Sequence, residues 1–208
     1  MKITEIRGNE KVRGVTRTIS GTLGEWMRAN NVINIEDLRT VSDKIDLTKE
    51  GIISLEGCPE KIFSSLWLGS NYLSTMKYGP REIIGNLILE MNDLNSFEHF
   101  PQKIFGALNI SMNKFTSLQD IHKHIKIIKG PILVAGDNLK SHFLGVFLIE
   151  SLTYITPGSS NPTVNEAIVI VNRHLRPTEN TSSEVRREAM YACQDELTEN
   201  GLEEFAQL

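Results

Sequence analysis

The residues of this 208-residue chain best suited to metal or nucleophilic chemistry are five histidines and two cysteines. His122 and His124 stand two apart, a spacing that a strand brings to one face, and His142 follows in the same region. No cysteine and no clear carboxylate partner completes a ligand set, so isolated surface histidines are expected and neither metal nor cofactor is implied. Cys58 lies beside Pro59, and the positions 21 and 42 residues further on hold Gly79 and Phe100, a tolerance that suits structure rather than catalysis. Cys193-Gln194-Asp195 sets a thiol two residues from a carboxylate. That thiol, however, shares a helical stripe with Val185, Ala189 and Leu197, where sulfur serves as a small hydrophobe. Phosphate-loop, dinucleotide, zinc-helix and nucleophile-elbow motifs are absent from the sequence. No catalytic residue is assigned, and an enzyme is not expected.

The middle of the chain is organised by repetition. SLEGCPEKIFSSLWLGSNYL, STMKYGPREIIGNLILEMNDL and NSFEHFPQKIFGALNISMNKF align without a gap. Pro59, Pro80 and Pro101 fall 21 apart, as do Ile62, Ile83 and Ile104, Leu66, Leu87 and Leu108, and Asn71, Asn92 and Asn113. Leu55, Met76, Phe97 and Leu118 keep the same step. Each unit reads L-x-x-L-x-L-x-x-N-x-L, with Phe63, Ile84 and Phe105 in the first apolar slot. A degraded unit precedes them, with Glu50 in the Asn slot; another follows a three-residue lengthening, with Asp137 there. Amphipathic helices do not place one Asn five residues after a Leu in three successive units, and a Pro before each strand opposes long helices.

Leu-x-Leu is a short strand whose alternate side chains point inward. One such turn cannot bury its apolar face, whereas stacked turns share a core. Where the chain leaves each strand its backbone polar groups meet that apolar interior. An Asn amide both donates and accepts, so Asn71, Asn92 and Asn113, with Asp137 in the acceptor half of the role, form a ladder that satisfies them. Glu50 is too long for the slot and marks an atypical first turn.

The expected organisation is therefore α/β. A solenoid of about five turns spans residues 42–140, preceded by a cap at 1–41 and followed by a larger helical cap at 141–208. Short helices are expected over TLGEWMRANN, with Leu23, Trp26 and Met27 on one side, and over IEDLRTV with Asn34 as N-cap. Ser141 is the expected N-cap of HFLGVFLIESL. Asn161-Pro162 opens a further segment that periodicity leaves as helix or strand, and Ser182 or Ser183 opens a last helix that stops at Asn200-Gly201. Residues 1–20 carry five basic and two acidic side chains, and residues 178–208 eight acidic and two basic; both read as solvated termini.

Strand parity fixes the outer surface. With Leu66 and Leu68 inward, Trp67 projects outward, and Asp46, Ile88, Asn109 and Leu133 take the same slot in other turns. Met91 and Met112 lie alongside. Five strands about 4.8 Å apart make a face about 20 Å wide. An apolar patch of that kind on the concave side of a sheet is a protein-binding surface, made from Trp67, Ile88, Met91, Asn109, Met112 and Leu133. The alternatives are burial of this face by the C-terminal helices or by a second copy of the chain in a homodimer.

Composition sets the remaining bounds. At 40% hydrophobic and 23% charged residues, the chain has enough apolar content for a core. A net charge of −4 does not suit a general nucleic-acid binder. No run of about 18 apolar residues would span a bilayer. The start, MKITEIRGNE, has no apolar signal segment, and two cysteines make no disulfide framework, so a cytoplasmic protein is expected.

The repeat resembles the leucine-rich-repeat family, which implies a right-handed solenoid and a protein-recognition role. Pro a few residues before each strand also resembles the repeats of bacterial effector ubiquitin ligases, whose Cys-x-Asp motif would fall on Cys193. Their catalytic part is a large helical domain, and only about 68 residues follow the repeats here. SLEGCPEK and ENGLEEFAQL resemble segments of tailed-phage proteins. That likeness implies an accessory protein acting in the bacterial host cytoplasm, for instance as an inhibitor.

Overall fold

A computed structural model describes residues 21–136, 139–175 and 181–208. Asp137, the basic stretch at 1–20 and the segment 176–180 lie outside the described residues.

The centre of the molecule is a parallel β-solenoid of about five turns with a 21-residue period. Every turn contributes to one sheet through the Leu-x-Leu segment. In chain order these strands are β2 (Lys44–Asp46), β5 (Ser65–Trp67), β7 (Leu87–Ile88), β9 (Leu108–Asn109) and β11 (Ile132–Leu133). A sixth, β12 (Ile155–Thr156), joins beyond the repeats, giving the order β12-β11-β9-β7-β5-β2. The inner two-residue strands are stable here because each shares its ladder with neighbours on both sides.

A second parallel sheet was not expected. It contains β4 (Lys61–Ile62), β6 (Glu82–Ile83), β8 (Lys103–Ile104) and β10 (Ile127–Ile128). Its presence corrects the repeat register at one slot. Ile62, Ile83 and Ile104 are the inward residues, each fully buried, whereas Phe63 and Ile84 are exposed and Phe105 is half-buried. The chain turns a corner between the two sheets, and this swings the first slot of the written motif outward. The corner is tight. A Cβ on Gly85 would lie 2.5 Å from the Ser65 nitrogen, and one on Gly106 2.7 Å from the Gly85 carbonyl carbon, so neighbouring turns touch backbone to backbone there.

At the first turn, β1 (Gly21–Thr22) pairs with β3 (Ile52–Ser54) and runs into α1 (Leu23–Ala29). Thr22 and Glu25 make a reciprocal capping box, and Leu23 and Trp26 are buried. Asn34 caps a 3₁₀ turn at Ile35–Leu38. α2 (Ile121–His124) fills the lengthened turn. The apolar segment after the repeats is a buried 3₁₀ helix, Leu144–Leu148, and Ser141 does not cap it; its hydroxyl meets His142 Nδ1 instead. His142 and Phe143 donate backbone hydrogen bonds to Glu204 and Phe205, so the C-terminal tail satisfies N–H groups at the start of this segment in place of a side-chain cap.

Two helices complete the C-terminal region. α3 (Pro162–His174) starts on Asn161 and absorbs the AIVIV run as helix; α4 (Ser183–Glu199) starts on Ser182 and stops at Asn200, with Gly201 at a φ of +72°. Glu196 of α4 receives both Arg173 and His174 of α3. One hydrophobic core runs from Leu23 to Ala206 through all of these elements. Among the described residues, no helix is long and apolar enough to cross a membrane.

Candidate functional site

The inside of each turn sets what the outside can present. Asn71 Oδ1 accepts from the Ile52 N–H at 3.0 Å, and its Nδ2 donates to the Leu47 and Leu68 carbonyls at 2.9 Å each. Asn92 repeats the pattern on Leu73, Leu68 and Leu89, and Asn113 on Leu94, Leu89 and Ile110. Each amide thus bonds its own turn and the one before. All three are buried, and this is the arrangement by which polar backbone survives in an apolar interior.

The residue before each Asn slot is in the left-handed region: Lys49 before Glu50, and Ser70, Met91 and Met112 before the three Asn residues, have φ between +54° and +63°. Gly and Asn adopt that conformation readily, whereas a bulky side chain pays roughly 1–2 kcal/mol. Met91 and Met112 occupy it nonetheless, and both are exposed. Nothing in the sequence signalled this turn, because its requirement is on φ rather than on polarity.

The outer face of the six-stranded sheet carries one continuous row. Backbone register pairs Asp46 with Trp67, Trp67 with Ile88, Ile88 with Asn109, Asn109 with Leu133, and Leu133 with Thr156. Leu66 and Leu68, on either side of Trp67, are fully buried, while Trp67 is half-buried and faces away from them. Lys44 Nζ stands 3.8 Å from the centre of the indole ring and also pairs with Asp46 at 3.0 Å. Burial alone would raise the Asp46 pKa, but hydrogen bonds from Thr48 and Lys44 outweigh it and leave it lowered. Ile88 and Leu133 are half-buried.

Asn109 differs from its neighbours. It is only 7% exposed, its Nδ2 donates to Glu90 Oε2 at 2.9 Å, and its Oδ1 accepts from the Ser111 N–H at 3.0 Å. Glu90 occupies the next outward row, beside Gly69, Ser111 and Ala135. It is the functional-site residue that sequence reasoning missed. Its signal was available: it is the lone acid in a column of small residues at the 21-residue step.

The residues first considered for chemistry do not converge. Among the described residues, no group of three His, Cys, Asp or Glu side chains could hold a metal ion. His122 packs on Gly145, with its buried Nδ1 unpartnered, and burial lowers its pKa. Cys193 is fully buried, and burial pushes its thiol up to about 12; Cys58 is pushed as high by burial and by the nearby Glu36 carboxylate. Neither sulfur is a thiolate near neutral pH.

At both ends, polar side chains satisfy strand edges. Glu36 Oε1 accepts from the Phe63 N–H beside β4, at 2.9 Å. Asn172 of α3 brackets Ile155 of β12, accepting from its N–H at 2.8 Å and donating to its carbonyl at 2.7 Å. Glu50, in the Asn slot of the first turn, accepts from Trp26 Nε1 at 2.8 Å and so ties α1 to the solenoid. The Glu36 and Asn172 contacts occupy backbone groups at edge strands, where open edges would invite strand addition.

The chain matches no family model, no curated protein and no solved structure.

Proposed function

We propose that this chain is a protein-recognition module of the leucine-rich-repeat type, wound right-handedly and capped by its terminal helices. It binds a partner protein through the concave outer face of the six-stranded sheet. The observation that carries the reading is the register row Trp67–Ile88–Asn109–Leu133, in which aromatic and aliphatic side chains project from a face whose fold requirements are met on its other side. The two left-handed methionines beside the row support it. Bulky residues kept in a strained, exposed conformation serve something other than the fold. On the resemblance to tailed-phage proteins, the partner is a host or viral protein of the bacterial cytoplasm, and binding inhibits it.

Affinity capture from a bacterial lysate tests this, with the wild type run beside a Trp67→Ala/Ile88→Asp variant and a Lys61→Ala/Glu82→Ala control on the other sheet. A specific protein retained by the wild type and the control but lost from the variant supports the proposal. Equal capture by all three overturns it. Self-association through the same face is the second reading, favoured by the partial exposure of Ile88 and Leu133. A dimer on a sizing column that dissolves in the Trp67→Ala/Ile88→Asp variant would select it.

A further inference from the structure

The proposed binding face has a charge at its centre, and that charge specifies the partner's chemistry. On β5, β7, β9 and β11 and the two residues that follow each, the outward positions are Ser65, Trp67 and Gly69, then Asn86, Ile88 and Glu90, then Ala107, Asn109 and Ser111, then Pro131, Leu133 and Ala135. Glu90 is the ionisable side chain on these four strands, and on the neighbouring β2 the outward Lys44 and Asp46 pair with each other beside Trp67. Glu90 forms no ion pair among the described residues, and Asn109 Nδ2 holds one of its oxygens. The other oxygen extends over Gly69: a Cβ there would lie 3.1 Å from Glu90 Cγ and 3.6 Å from Oε1. The missing side chain at Gly69 thus lets the carboxylate lie flat across the sheet, and the small Ser111 and Ala135 keep the opposite side low. A half-buried carboxylate held in place by Asn109, with no ion pair among the described residues, leaves an oxygen open to accept from a positive group.

We infer that the face takes a peptide segment of the partner in which one Lys or Arg, flanked by aliphatic residues, sets its cation on Glu90. The flanking residues then rest on Trp67, Ile88 and Met91. Arg suits the planar carboxylate best, since one oxygen remains open to its fork and Asn109 supports the other. This inference rests on the binding reading above and goes beyond it by naming what is bound.

A random heptapeptide display library, panned against the full chain and three variants, tests it. The wild type is expected to enrich peptides with one basic residue between aliphatic ones. Glu90→Gln is expected to lose the basic preference while keeping the aliphatic one, and to bind wild-type-selected peptides at least about tenfold more weakly in low salt. Glu90→Lys is expected to select acidic residues at the same position. Trp67→Ala/Ile88→Asp is expected to enrich nothing. If wild type and Glu90→Gln enrich the same peptides, and the double variant still loses them, the charge assignment is wrong while the binding face stands. If the wild type enriches no peptide, or the double variant keeps what the wild type selects, both fall. A concentration-dependent dimer that the Glu90→Lys variant abolishes would seat a second copy there and overturn the peptide assignment.

Discussion

Two columns of residues run the length of the solenoid a few ångströms apart and obey opposite rules. The inner column repeats one solution: Asn71, Asn92 and Asn113 make the same three hydrogen bonds to the same three kinds of backbone atom. The outer row holds Asp46, Trp67, Ile88, Asn109, Leu133 and Thr156, six different residues at one geometric position. Backbone and strand spacing are common to both, so geometry does not cause the difference. What differs is the demand. An unpaired polar group inside an apolar stack is costly in every turn, so the inner position admits one chemistry. The outer position owes the fold almost nothing and is free to vary, and a mixed row in which Trp67, Ile88 and Leu133 stand out is what a particular partner would require.

The comparison fails if the two columns respond alike to mutation. Asn92→Ala should be the most damaging change, because it strands the Leu73 N–H in the core and takes one of two Asn donors from each of the Leu68 and Leu89 carbonyls, which keep only Asn71 and Asn113. A loss of about 3–5 kcal/mol is expected in urea unfolding at unchanged m-value: one stranded N–H at about 1–3 kcal/mol and two lost hydrogen bonds at about 1 kcal/mol each. Leu87→Ala, which empties a fully buried position, should cost about 2–5 kcal/mol in the same assay. Trp26→Phe keeps the buried ring but removes the bond to Glu50, and should cost about 1–2 kcal/mol, read from the melting midpoint. Trp67→Ala, one strand parity away from the leucines, should cost no more than about 1 kcal/mol, mostly the lost contact with Lys44. At the small end, Met112→Gly should be neutral or stabilise by up to about 1 kcal/mol, since its φ of +54° suits glycine. An outer-row loss as large as the ladder loss would erase the distinction.

Much of this arrangement was legible in the sequence, and the missed parts share a cause. The period, the Asn ladder and the outward slot at Trp67 could be read because they recur at a fixed step and follow from parity alone. The α3 and α4 starts were legible because Asn161 and Ser182 cap them through their own side chains. The second sheet was not, because its strands are two residues long and the motif's spacing runs straight across the corner. Phe63, Ile84 and Phe105 therefore looked inward when the adjacent isoleucines are. Ser141 had the composition of a cap, but the tail residues that take over the capping of this segment lie some sixty positions away. Glu90 was passed over because the next outward column was read at Met91 and Met112, one residue further on, where a left-handed turn and not strand parity sets the side chain. Cys193 was correctly placed beside Leu197 in the buried half of the last helix, although Val185, at the start of the stripe read for it, is exposed. Its thiol should resist alkylation at pH 8 in the folded chain and react on unfolding, because the acid form persists up to about pH 12.

The most direct test of the account replaces Ile88 with a photo-crosslinking amino acid, p-benzoylphenylalanine, and compares it with the same replacement at Glu82 on the other sheet. Irradiation in a bacterial lysate, followed by mass analysis, should give a discrete adduct with one partner protein from position 88 and none from position 82. Adducts that form equally from both, or only from position 82, would contradict the claim that the row through Trp67 and Ile88 is the face this solenoid exists to present.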